Sequence, residues 1–82
     1  MGKISVRFFA RYAELAGCTW SAVNVETPAT VADVIARVRE VFPGTQALPP
    51  KPLAALNRRQ VKLDATVREG DEVALLPPLS GG

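Results

Sequence analysis

The sequence predicts an α+β domain in which a mixed sheet of four to five strands packs on one main helix. Three observations predict it: side chains alternate with a period of two in two runs of the first third of the chain, one long central run has helical spacing, and prolines and glycines punctuate the remainder. With 82 residues the chain is one domain, and at this size only about 60% of the unfolded surface is buried, so the core must be compact.

The first run, "KISVRFF" at 3–9, places Ile4, Val6 and Phe8 on one face and is rich in β-branched and aromatic residues, which predicts a strand. "ARYAELAG" follows as a short helix, with Gly17 where a left-handed C-terminal cap belongs. "TWSAVNV" at 19–25 alternates again, setting Trp20, Ala22 and Asn24 against Ser21, Val23 and Val25, so an antiparallel pair with a helical connection is expected. The run "TPATVADVIARVREVFPG" carries the main helix. Thr30 is placed to cap it with Asp33 at N3, Val31, Val34, Ile35, Val38, Val41 and Phe42 form its apolar stripe, and Pro43 and Gly44 stop it. Its β-branched residues lower its intrinsic propensity, so burial of the stripe against the sheet must stabilise it. "TQALPPKP" at 45–52 reads as an extended loop, "LAALN" as a short buried strand, "NRRQ" as a polar turn, "VKLD" as an edge strand, and "EGD" at 69–71 as a turn into the last strand "EVALLP". The proline pair ends that strand.

Composition excludes several chemistries. Histidine is absent, which removes the commonest general base and metal ligand, so zinc sites and Ser-His or Cys-His catalysis in their usual forms are not expected. The single cysteine, Cys18, has no partner for an internal disulfide; it is expected to be a small, buried or half-buried residue in a reducing compartment. No apolar run approaches the roughly 20 residues of a membrane span, and no signal-peptide pattern precedes the first strand, so a cytoplasmic protein without membrane contact is expected. Ten basic and eight acidic residues are scattered for a net charge of +2, and the one small cluster, Arg58, Arg59 and Lys62, lacks interleaved aromatics. It reads as a solvated turn or a contact for an acidic patch on a partner, and no nucleic acid is expected.

The order of elements and the quoted segments "VRFFARYAELAG", "AALN" with its turn, "EGDEVALLPP" and the closing "SGG" resemble the small-subunit family of molybdopterin synthase over nearly the whole chain. That family consists of sulfur carriers with the ubiquitin-like β-grasp fold. The resemblance implies a β-grasp domain over residues 1–76 and an extended tail over 77–82 ending in Gly-Gly. It also implies that the chain is non-catalytic alone and donates sulfur within the synthase complex. The carboxylate of Gly82 would be adenylated by a ubiquitin-activating-like adenylyltransferase, converted to a thiocarboxylate, and used by the large catalytic subunit to build the molybdopterin dithiolene. No cofactor is expected on this chain, ATP being consumed by the activating enzyme. The sulfur would come from a donor such as a cysteine desulfurase or rhodanese, and the complex would be a heterotetramer. Related outcomes of the same chemistry are a carrier for thiamine thiazole or tRNA thiolation, or a ubiquitin-like protein modifier whose glycine is joined to lysines.

The tail residues suit such a role. Gly81 and Gly82 lack a Cβ, and Ser80 is small, so this end fits a narrow channel. Pro77 and Pro78 fix φ and favour an extended arm held away from the body, which lowers the order lost on docking. Phe9, Leu75, Leu76, Pro77, Pro78, Leu79 and Ser80 are the candidate partner contacts. Alternation splits Leu75 from Leu76, and Phe8 from Phe9, so one of each pair is expected to face outward. Where the family usually has Phe-Phe, this sequence has Leu75-Leu76, which implies a partner pocket shaped for aliphatic groups.

Overall fold

The computed structural model describes residues 1–78. Its elements in order are β1 (Gly2–Phe8), α1 (Arg11–Ala16), β2 (Trp20–Val25), β3 (Ala29–Thr30), α2 (Val31–Val41), a 3₁₀ helix (Pro43–Ala47), β4 (Leu53–Leu56), β5 (Arg59–Val61), β6 (Thr66–Val67) and β7 (Glu72–Leu76). Five strands form one mixed sheet in the order β2-β1-β7-β4-β5, and β3 pairs with β6 in a separate two-stranded sheet. β1 is antiparallel to β2 and parallel to β7, and β4 is antiparallel to both β7 and β5. Five strands grasping one main helix are the β-grasp arrangement expected from the order of elements.

The period-two pattern of β1 sorts its side chains as predicted: Ile4, Val6 and Phe8 are buried, and Lys3 and Arg7 are exposed. Val23 and Val25 of β2 and Val73 and Leu75 of β7 join them in the core. From the other side α2 contributes Val31, Val34, Ile35 and Val38. Burying a Val or Ile side chain contributes about 1.5–3 kcal/mol, which outweighs the few tenths per residue lost to β-branched propensity. Val41 departs from the expected stripe and is exposed, whereas Phe42 is half-buried with its ring edge-on to Phe8, centroids 5.6 Å apart.

The start of α2 leaves few donors unmet. Thr30 Oγ1 accepts from the Asp33 N–H at 3.2 Å, and Asp33 Oδ2 accepts from the Thr30 N–H at 2.9 Å, a reciprocal capping box. The next two N–H groups, of Val31 and Ala32, donate to the carbonyls of Ala65 and Leu63. At the other end Phe42 takes an extended conformation, as a residue before proline prefers, and the helix stops. Gly17 closes α1 in the left-handed region at φ 81°, as expected.

Two local expectations are corrected. The segment expected to be an extended loop begins as the 3₁₀ helix Pro43–Ala47, because the buried Thr45 donates its hydroxyl to the Val38 carbonyl and Arg39 gathers the carbonyls of Thr45, Leu48 and Pro49. The edge strand is Arg59–Val61 rather than 61–64, because Asn57 and Arg58 alone make the turn, with φ 50° and 73°, and pairing resumes at Arg59 opposite Leu56. The small β3–β6 sheet is an addition that no sequence pattern predicts.

Candidate functional site

The last strand positions the site. Leu75 pairs with Phe8 on one side and Ala54 on the other, and all three lie on the helix-facing side of the sheet. Leu75 has no exposed surface, so its expected partner contact is corrected: it is a core residue, held there by strand alternation. Leu76 takes the opposite face. Its register partner across β4 is Leu53, which is 40% exposed, and Phe9, one residue past the Phe8–Leu75 pair, is 41% exposed at the same end of the sheet. Behind them Ala74 and Ala55, paired in register, form a flat floor. Phe9, Leu76 and Leu53 therefore make an apolar rim on the face turned away from α2, where the tail leaves the sheet.

One residue of this rim, and one neighbour that borders it, are not visible as such in the sequence. "LAAL" is apolar throughout, which hides Leu53; only its register with Leu76 shows its face. Arg7 shares the face of Phe9 by alternation, and its guanidinium carbon lies 5.7 Å from the Phe9 ring centroid, in cation–π range. A positive charge thus borders the apolar rim.

The first residue of the tail lies against the body. Pro77 is half-buried, and with Pro78 it lines a cleft against Arg11, Tyr12 and Leu15 of the α1 segment and Pro49. The Pro77 ring is partly shielded there, whereas Pro78 is exposed. Ala10, which turns the chain from Phe9 into α1, sits at φ 49° and ψ −126°, a region that L side chains rarely occupy. Leu79, Ser80, Gly81 and Gly82, the remaining tail residues singled out in the sequence, lie outside the described residues.

A family model described as the ThiS family matches residues 6–82, from β1 through the whole tail. This chain belongs to the ThiS family. The ThiS-family chain is 32% identical over 82 residues to the molybdopterin synthase sulfur carrier subunit of Chlamydomonas reinhardtii, covering 98% of this chain and 99% of that protein. It is 38% identical over 82 residues to the protein of the same name from Drosophila erecta, covering 96% of this chain and 90% of that one. Among solved structures it is similar to SAMP1, a small archaeal modifier protein from Haloferax volcanii, with a TM-score of 0.87 and 30% identity over 99% of this chain and 100% of that one. The rim, the cleft and the tail all fall inside the matched span.

Other residues that the sequence singled out lie elsewhere in this ThiS-family chain. Arg58 and Arg59 are exposed at the β4–β5 turn, and Lys62 is exposed just past β5. Cys18 is a free, half-buried thiol packed against the core between α1 and β2, away from the rim. Among the described residues no helix is long and apolar enough to cross a membrane.

Proposed function

We propose that this chain is the sulfur carrier subunit of a molybdopterin synthase. The observation that carries the reading is the match over essentially full length to two proteins of that name, one of them 38% identical. The apolar rim at the tail's root supports it, because a carrier whose reactive end works in another protein's pocket needs a surface by which that protein holds it.

The chemistry begins at the end group. A terminal carboxylate titrates at roughly 3.3–3.7, so at neutral pH it is an anion and a poor electrophile. In the proposed sequence a carboxylate oxygen of Gly82 bonds to the α-phosphate of ATP on the activating enzyme and pyrophosphate leaves. The terminal sulfur of a persulfide on a donor such as a desulfurase or rhodanese then displaces AMP to give an acyl disulfide, and a second cysteine thiolate of those enzymes attacks the donor's sulfur, forming a disulfide as the thiocarboxylate leaves. The large subunit takes that sulfur for the dithiolene. This chain contributes position rather than catalysis. Phe9, Leu76 and Leu53 dock the domain, Pro77 sets where the tail departs, and the five residues beyond it reach at most about 18 Å into the partner. Gly81 and Gly82 leave room for close backbone approach at the reacting carbon.

Intact-mass measurement after incubation with the activating enzyme, ATP and a sulfur donor tests this. One oxygen-to-sulfur exchange at Gly82 is expected, and a chain lacking Gly81 and Gly82 should keep its fold and fail to load. Loading of the truncated chain would overturn the proposal. The likeness to SAMP1 favours one second reading, a protein modifier. Adducts that survive a denaturing gel would establish that reading, and a thiocarboxylate without adducts would dismiss it.

A further inference from the structure

The β4–β5 turn carries a residue that its backbone disfavours. Both central positions have positive φ, 50° at Asn57 and 73° at Arg58, the geometry for which Asn-Gly is the preferred pair. Asn57 suits its place: it tolerates this region, and its side chain ties the turn to the neighbouring one, donating to Asp71 Oδ1 at 3.1 Å and accepting from the Glu72 N–H at 3.0 Å. Arg58 has no such reason to be there. Its Cβ is strained where glycine would not be, it is exposed, and among the described residues its side chain makes no hydrogen bond and no ion pair. The carboxylate of the adjoining turn is already engaged, Asp71 Oδ1 by Asn57 and Oδ2 by the Arg68 N–H. A strained residue with no partner in its own chain marks a side chain kept for something outside it.

We infer that Arg58, with Arg59 beside it, is an electrostatic contact for an acidic protein surface on the enzyme that activates the tail; this rests on the sulfur-carrier reading above. Position argues for a protein rather than a small anion. The register runs from Leu53 opposite Leu76 to Leu56 opposite Val73, and the Asn57 N–H donates to the Glu72 carbonyl, so the turn lies at the far end of β7 from the tail. That is about 13 Å along the strand, a span that one partner surface bridges while it holds the tail's root. Charges at such a rim act mainly on the rate and salt dependence of association.

The test compares the wild-type chain with R58G and R58K, following association with the activating enzyme at low and high salt together with thermal unfolding. R58G should melt a few degrees higher, because glycine relieves the turn, and should associate several-fold more slowly at low salt, with the difference vanishing at high salt. R58K should associate like wild type and melt like wild type. Association unaffected by R58G overturns the proposal, as does an unchanged melting temperature, which would remove the strain argument. If R58G weakens binding to RNA and leaves the enzyme association unchanged, the turn is a nucleic-acid contact and the proposal falls. A wild-type chain that does not associate with the enzyme at all defeats the sulfur-carrier reading itself and this inference with it.

Discussion

Ala10 shows what one residue can hide. Its φ of 49° and ψ of −126° put a Cβ where glycine alone is comfortable, and it does so between Phe9 of the rim and Arg11 of the tail cleft. Ala10→Gly is expected to stabilise the fold by about 1 kcal/mol, read from chemical denaturation; a loss of stability would show that the strain is not there. No sequence pattern announces such a conformation, because alanine carries no signal of its φ. The opposite holds for the paired residues. Period two alone separates Phe8 from Phe9 and Leu75 from Leu76, and the structure assigns the inward member of each pair to the core. Which leucine faces out emerges only once β7 is registered against β1, since both are apolar.

Among the elements, α2 is the most legible, because its cap, its stripe and its stop are each written in residue types with fixed spacing. The segment after α2 is far less so. The 3₁₀ helix and the descent to β4 are organised by one side chain, Arg39, whose guanidinium donates to the carbonyls of Thr45, Leu48 and Pro49 at 3.1, 3.2 and 2.6 Å, while Gln46 Nε2 donates back to the Arg39 carbonyl at 3.0 Å. Its prolines suggest a plain loop, since contacts between an arginine and carbonyls six to ten residues later have no local signature. Arg39→Ala should cost about 1–3 kcal/mol in urea denaturation, the range for losing charged hydrogen bonds, and an effect below about 0.5 kcal/mol would show that the carbonyls are equally content with water. β3 and β6 go unseen for a simpler reason. Each is two residues long, too short for any period to register.

For the whole molecule, the sheet order places the first and last strands side by side at its centre, with β2 and β5 at the edges. Native-state hydrogen exchange should therefore find its slowest amides in β1 and β7 and faster ones in β5 and β6; equal protection in β5 and β7 would contradict the layout. The tail continues directly from β7, which is paired over four residues with β1 on one side and over four with β4 on the other. A pull on the end of the chain along that strand must shear both ladders at once, whereas an edge strand would peel away one bond after another. When a partner grips the last residues and the rest of the molecule diffuses or is tugged, the load enters the fold on a strand that is held from both sides. The chain is thus anchored like a rope spliced into the middle of a weave.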